Sequence, residues 1–194
     1  MQDVYRECPK IKNDRFLLRL VSENDVNDLL KVYGDKKALP YFNSDNCHGD
    51  NFYYPTKKRM LEAIRFWLWE YSERRYVRFT IFDEAENVAV GTIEIFNRKS
   101  EDYFNNCGLL RLDLHSDYEN NRDIADVLRL ITEPIYNLFH CEMIATKAPA
   151  YAVERIAALK KIGFVSSNEY LIGEDSKAYD GYWVKASIPV CRTE

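Results

Sequence analysis

The feature that most constrains the fold of this chain is a run of three strand-like segments in its middle. Tyr76 to Phe82, Val88 to Phe96 and Gly108 to His115 are mainly apolar and of strand length, and polar, turn-rich stretches at 84–87 and 97–106 separate them. Such local connections join antiparallel neighbours, so the run predicts the antiparallel centre of a sheet.

Helical patterns precede the run. A first strand is predicted at Arg15 to Val21, and Ser22 then offers the N-cap of a short helix that ends near Gly34. A second helix is predicted to begin after Pro55 and Thr56. Its apolar face repeats at helical spacing and consists of Met60, Ile64, Trp67, Leu68 and Tyr71.

Helices and strands alternate after the run. Pro134 lies inside a long helical pattern and is expected to kink or interrupt that helix. A strand at Cys141 to Thr146 and a helix ending at Gly163 follow. The apolar stripe of the long helix is Ile124, Val127, Leu128, Ile131, Ile135 and Leu138.

Two closing strands are predicted at Phe164 to Ile172 and Tyr179 to Ala186. The complete order indicates a mixed α/β fold with a mostly antiparallel central sheet flanked by helices. No linker or repeat divides the 194 residues, so we expect a single domain over residues 1–194.

Composition restricts the class of protein. Hydrophobic residues make up 46% and charged residues 30%, which is typical of a soluble globular domain. The net charge is -4 and the pI about 5.5, whereas general nucleic-acid or anionic-membrane binders have a basic balance. We therefore expect no nucleic-acid partner and no membrane partner.

The cysteines and the N-terminus indicate a compartment. The five cysteines are scattered, form no CxxC motif and no Cys/His cluster, and so predict a reducing environment and no metal site. The first ten residues lack the apolar core of a secretory signal, and no apolar run approaches the ~20 residues of a membrane span. The expected location is cytoplasmic. The cysteines are Cys8, Cys47, Cys107, Cys141 and Cys191.

Several weak motifs, in the same order as the predicted elements, resemble the GNAT acetyltransferases of the RimJ/RimL type. The similar stretches are NDRFLLRLVSENDVNDLLKVYGD, NVAVGTIEIF, LDLHSDYENNRDIADVLRLI and ERIAALKKIGFVSS. The resemblance implies the GNAT acyl-CoA N-acyltransferase fold, with acetyl-CoA as co-substrate. It also implies a primary amine as acceptor, either a small molecule or a protein N-terminus, and a monomer or homodimer.

In that family, one strand diverges from its neighbour and the pantetheine arm of the coenzyme lies in the gap. The loop that follows wraps the diphosphate with backbone N–H groups at a helix N-terminus, where free donors and the helix dipole favour an anion. By resemblance, the coenzyme-binding residues of this chain are Leu112, Asp113, Leu114, Asn120, Asn121, Arg122, Asp123 and Ile124.

The loop departs from the family pattern, because residues 119–124 contain neither of its usual glycines and Asp123 adds a negative charge. Two lost backbone bonds to phosphate, at about 1.5–3 kcal/mol each, would weaken coenzyme binding by roughly 100-fold or more. The guanidinium of Arg122 could compensate, and Asn120 and Asn121 tolerate left-handed backbone angles.

Further family positions also differ. The chain has Ala152 and Arg155 where the family often has Asn and Ser near the start of the last helix. Leu159 replaces a frequent Tyr, and Leu109 replaces a frequent catalytic Glu.

Three residues are candidates for proton transfer. Glu94 and Asp113 lie on predicted neighbouring strands, and either carboxylate could deprotonate the amine, since an ammonium cannot attack a thioester. The structural alternative is a carboxylate on a half-exposed sheet face or paired with Arg111. Tyr170 is the candidate acid for the departing thiolate. His115, two residues after Asp113, is interpreted either as an oriented imidazole or as a polar strand end.

Aromatic residues crowd the segment 41–76 and predict either an aromatic-lined cavity or a bulky core. Three functions stay open. The chain is an N-acetyltransferase, a non-catalytic binding or dimerisation module that has lost the coenzyme, or an enzyme with another acyl donor or none whose substrate pocket this segment lines.

Overall fold

A computed structural model describes residues 3–187. The helices are α1 (Val26–Tyr33), α2 (Lys57–Ser72), α3 (Asn121–Phe139) and α4 (Val153–Lys161). The strands are β1 (Ile11–Lys12), β2 (Phe16–Leu20), β3 (Val77–Asp83), β4 (Val88–Arg98), β5 (Cys107–Leu114), β6 (Met143–Lys147), β7 (Val165–Ser166), β8 (Leu171–Ile172), β9 (Ala178–Tyr179) and β10 (Tyr182–Ala186).

Eight strands form one sheet in the order β1-β2-β3-β4-β5-β6-β10-β7, and β8 pairs with β9 in a separate hairpin. Every neighbouring pair in the large sheet is antiparallel except β5 and β6. The parallel connection between β5 and β6 passes through α3, as such a crossover requires. The mixed, mostly antiparallel fold predicted from the sequence is confirmed.

The parallel pair of strands separates halfway along β5. Pairing with β6 runs from Cys107 opposite Met143 to Leu110 opposite Thr146 and then stops. On its other side β5 stays paired with β4 as far as Leu114. One edge of β5 is therefore free of strand partners from residue 111 onward, and we call the gap beside it the split.

Helices cover both faces of the sheet. Leu110, Leu112 and Leu114 of β5 pack with α3 and α4 in the largest apolar cluster, whereas α1 and α2 form a second cluster around Tyr33 and Trp67. Arg111 and Asp113 alternate with Leu110, Leu112 and Leu114 along β5 and so lie on the opposite face.

Local capping explains where the first helices begin. The Ser22 side chain accepts from the Asn24 amide and Asp25 accepts from the Ser22 amide, which makes a capping box for a short 3-10 turn before α1. Thr56 caps α2 by accepting from the Arg59 amide. Gly163, with φ of +88°, ends α4 as predicted.

The structure differs from the prediction of elements at three places. Pro134 does not interrupt α3, because the buried stripe on both sides of it, including Ile131 and Ile135, packs on the sheet and outweighs one missing N–H donor. The strand predicted at Phe164 to Ile172 is two short strands, β7 and β8, in different sheets. The two-residue strand β1 was missed because two residues carry no periodicity.

No helix within residues 3–187 is long and apolar enough to cross a bilayer. No cluster of three or more metal-ligating side chains occurs in the same residues. Cys191 lies outside the described part of the chain.

Candidate functional site

A cluster of buried charges occupies the sheet face beneath α1 and α2. Arg78 on β3 is 1% exposed and donates to Glu94 on β4 and, at 3.1 Å, to Asp113 on β5. Arg111 donates to the other oxygen of Glu94. The structure thus brings the two predicted carboxylates together, and Glu94 lies between two guanidinium groups.

Burial and ion pairing shift the pKa values of the two carboxylates in opposite directions. Burial raises the pKa of Asp113, which accepts from Arg78 and, at 2.8 Å, from the Tyr33 hydroxyl. Burial alone would also raise the pKa of Glu94, but the charges of Arg78 and Arg111 hold it below its ordinary value. Glu94 is therefore an ionised, weakly basic carboxylate.

A cavity of about 1020 Å³ lies between α2, the loop 46–54 and the sheet. Arg78, Glu94 and Arg111 line it on the sheet side, whereas Asp113 is not part of its lining. Its aromatic lining is Phe52, Tyr54, Phe66, Trp67, Tyr76 and Phe96. The predicted aromatic segment therefore contributes both to the core and to a cavity.

The other charged groups of the cavity are mostly paired. Asp50 binds Arg59 at 3.2 Å and Glu70 binds Arg75 at 2.8 Å. Glu174, from the turn between β8 and β9, lies at the exposed end of the cavity.

The side chain of Arg155 fills the split. From α4 it donates to the Leu112 carbonyl on β5 at 3.0 Å and to the Tyr41 carbonyl at 2.8 Å, and it makes two hydrogen bonds with Glu119. Arg155 is 3% exposed. The free edge of β5 is thus bound by a guanidinium of the same chain.

The amides near the start of α3 are bound by side chains. Asn120 accepts from the Asp123 amide at 3.0 Å, and Glu154 accepts from the Asn121 amide at 2.8 Å. Asp35 accepts from the Ser116 amide at 3.0 Å. The acceptor at the first residue of α3 is the carboxylate of Glu154, so the positive end of this helix already faces one anionic group.

The remaining predicted site residues are spread over the molecule. Arg122 is exposed, and Ile124 is buried in the core under α3. Tyr170 is 55% exposed on the connection between β7 and β8 and does not line the cavity. His115 accepts from the Asp117 amide and so caps a short turn, which fits the polar strand end.

No protein-family model and no curated protein matches the sequence. Several solved structures, however, match the fold of this chain. A GNAT-family acetyltransferase from Bacillus anthracis matches with a TM-score of 0.67 at 13% identity, over 92% of this chain and 98% of that one. The chain has the GNAT acetyltransferase fold.

Two GNAT-fold structures with bound coenzyme groups also match. A RimL alpha-N-protein acetyltransferase in complex with coenzyme A has a TM-score of 0.67 at 12% identity, over 92% of this chain and 98% of that one. Mycobacterium smegmatis RimJ in complex with CoA-disulfide has a TM-score of 0.67 at 14% identity, over 91% and 84%. The fold predicted from the resemblance is confirmed.

The residues of this chain do not fit the coenzyme in the place that the GNAT fold provides. Arg155 occupies the split, where the pantetheine arm would lie against β5. Glu154 binds the Asn121 amide and puts negative charge at the helix start, where the diphosphate would lie, whereas the carboxylate of Asp123 is paired with Arg15 at 2.6 Å. The fold is retained, but its coenzyme cleft is filled by the chain itself.

Sequence reasoning missed the pairing of Arg155 with Glu119, which lie 36 residues apart. The sequence did contain a signal for this pair. Glu119 and Arg155 both stand where GNAT proteins usually have other residues near the coenzyme, and their charges are opposite. Sequence reasoning also missed Arg78, which looked like any polar residue of an alternating strand.

Proposed function

We propose that this protein binds an organic ligand in the cavity between α2 and the sheet, without coenzyme A in the split. The observation that carries the proposal is the contrast between the two sides of the sheet. A cavity of about 1020 Å³ lies under α2, whereas the split is occupied by a buried guanidinium with four hydrogen bonds.

The energy of opening the split supports this proposal. Removing Arg155 from its place would leave Glu119 buried without its charge partner, and breaking a buried pair in this way costs about 3–5 kcal/mol. That cost would weaken coenzyme affinity by roughly 100- to 4000-fold. The carboxylate of Glu154 at the start of α3 would add repulsion against phosphate.

The second candidate is transfer of an acetyl group from acetyl-CoA to a primary amine of a small molecule or protein N-terminus. It is favoured by the fold, since the matching solved structures are acetyltransferases. For this reaction Glu94, Asp113 and Tyr170 stay predictions, and so does the use of acetyl-CoA.

Titration with acetyl-CoA separates the two candidates. We expect no heat of binding and no change in thermal stability for the wild-type protein with about 1 mM acetyl-CoA. A coenzyme with a Kd near 10 μM would instead stabilise the fold by about 2.7 kcal/mol. Stabilisation of that size, with acetylation of any supplied amine, would replace our proposal by the second candidate.

Occupancy of the cavity is tested by screening small fragments against the indole signal of Trp67, assigned with Trp67→Phe. We expect fragments that shift this signal to lose binding in Ala63→Phe, because Ala63 lines the cavity and the larger ring fills it. Glu62→Phe is the matched control, since Glu62 is exposed on the same helix and outside the lining. A screen in which no fragment shifts Trp67 would contradict ligand binding here.

A further inference from the structure

We infer that the ligand of this cavity carries a carboxylate on an aromatic body, with the carboxylate held at Arg111 and Arg78. This inference rests on the proposed ligand binding and names its chemical class. Three observations support it. The sheet side of the cavity carries two arginines, these arginines have hydrogen-bond donors without acceptors in the described part of the chain, and the deep sites that would attract a cation are occupied by the protein's own arginines.

The charged side of the cavity is electropositive. Two guanidinium groups, Arg78 and Arg111, flank one carboxylate, Glu94, and all three line the cavity. The other carboxylate of the cluster, Asp113, lies outside the lining, and burial raises its pKa. The complete lining holds four guanidinium groups and four carboxylates, but its sheet wall holds two guanidinium groups and one carboxylate, so a ligand group that reaches this wall meets donors suited to an anion.

Both guanidinium groups keep an unused donor. The Nε atoms of Arg78 and Arg111 are buried and have no hydrogen-bond acceptor among residues 3–187. Planar guanidinium groups bind carboxylates with two parallel hydrogen bonds. Arg111 is the more accessible of the two arginines, because 11% of its side chain is exposed, against 1% for Arg78.

At the depth of Arg78, the places in the lining that would hold a ligand cation are already taken, whereas the carboxylate of Glu174 lies at the exposed end of the cavity. The guanidinium of Arg78 lies over the Trp67 ring at 4.2 Å and over the Phe52 ring at 5.7 Å. Aromatic faces of this kind attract cations, and here the protein supplies its own. Glu94 is likewise saturated by two arginines, so an ammonium group at this depth finds no free partner.

The lining also favours an aromatic body. Six aromatic side chains surround the space above the two arginines, and Trp67 and Phe96 lie on α2 and β4, on opposite walls. An aromatic ring buries much apolar surface with few rotatable bonds, which suits a rigid cavity.

The test uses three matched probes on the wild-type protein: 2-naphthylacetate, 2-naphthylacetamide and 2-(2-naphthyl)ethylamine. Binding is followed through the Trp67 indole signal. We expect the acid to bind about 10-fold or more tighter than the amide, since a charged hydrogen-bonded pair contributes about 1.5–3 kcal/mol. The amine should bind weakest.

Variants assign the preference to Arg111. Arg111→Met should reduce the affinity for the acid to that for the amide, and Arg111→Lys should restore part of the difference. Arg65→Met, on the exposed outer side of α2, should leave the preference unchanged. Thermal unfolding checks that each variant is folded, and the probe comparison on the wild type stands without them.

The outcomes separate this inference from the proposed function. Equal affinities for the three probes, or tightest binding of the amine, would overturn the inference while the cavity remained a binding site. Binding only of neutral or cationic fragments from the screen would do the same. If neither the probes nor any fragment shifts Trp67, both the inference and the proposed function fail.

Discussion

At the scale of single residues, Arg155 joins parts of the chain that are distant in sequence. Its guanidinium binds Leu112 on β5, Tyr41 in the segment after α1, and Glu119 in the loop before α3. The bond to Leu112 is buried and the others are partly buried, so water cannot replace them easily. The residue that excludes the coenzyme is therefore also expected to stabilise the fold.

Replacing Arg155 should be costly. We expect Arg155→Met to lower the free energy of unfolding by about 3–5 kcal/mol, because Glu119 would remain buried without its partner. Urea denaturation measures this change. In the matched control, Arg65→Met breaks an exposed pair with Glu23 and should cost less than about 1 kcal/mol. Equal costs for the two variants would contradict a structural role for the buried pair.

We expect titration of the Cys107 thiol to lower the free energy of unfolding above pH 9. Burial raises the pKa of its thiol from 9.0 to about 12, so the folded protein keeps the proton while the unfolded chain loses it above pH 9. Stability due to this thiol is complete below pH 9 and decreases by up to about 1.4 kcal/mol per pH unit above it. Between about pH 8 and pH 10.5 the loss amounts to about 2 kcal/mol.

Cys107→Ala should remove this part of the pH dependence. Denaturation under reducing conditions at the two pH values should show the wild type losing about 2 kcal/mol more than the variant. For each protein we compare only the change in the free energy of unfolding between the two pH values. The destabilisation caused by the smaller alanine side chain is the same at both and therefore cancels. Parallel losses in the two proteins would show that the thiol titrates alike in the folded and unfolded states.

At the scale of elements, the hairpin of β8 and β9 is attached to the main sheet through one carboxylate. Asp102 accepts from Arg98, from the Phe104 amide and from the Ile172 amide at 2.9 Å. Arg98 in turn donates to the Ile172 carbonyl at 2.6 Å. These polar contacts fix a two-stranded unit that is too small to be stable alone.

Asp102→Ala should loosen the hairpin locally. Loss of a charge-assisted bond of about 1.5–3 kcal/mol should increase amide exchange in residues 171–179 by roughly 10- to 100-fold. Hydrogen exchange with mass spectrometry measures this rate. Exchange in α3 should stay unchanged, and the exposed neighbour Glu101→Ala is the control. Unchanged exchange in the hairpin would mean that packing of Leu171 alone holds it.

Elements differ in how well the sequence predicts them. The long strands β3, β4 and β5 have clear periodicity, and each was predicted within two residues of its bounds. The start of the helix α2 was predicted equally closely, from Pro55 and Thr56. Short strands such as β7 and β8 lack periodicity, and only tertiary contacts decide which sheet each one joins.

At the scale of the whole molecule, the order of elements was enough to predict the fold, but not the state of the site. Glu94 and Asp113 were correctly placed on adjacent strands, because register follows from alternation along β4 and β5. Their common partner Arg78 comes from a third strand. Such pairings depend on side-chain positions in three dimensions, which a linear pattern does not contain.

The split illustrates the same limit. The absent glycines and the replaced residues of α4 indicated that coenzyme binding was weakened, but not what took its place. Only the folded arrangement brings Arg155 to the free edge of β5. One fold can thus keep its scaffold while the chemistry of its cleft changes.

The two ends of the large sheet have a consequence for self-association. The terminal strands of the described sheet, β1 and β7, are each two residues long, so each offers few backbone groups on its outer edge. A short terminal strand offers another polypeptide few unpaired N–H and C=O groups for β-pairing, and so it disfavours edge-to-edge aggregation. Concentrated solutions of this protein should accordingly resist cross-β deposition in the native state.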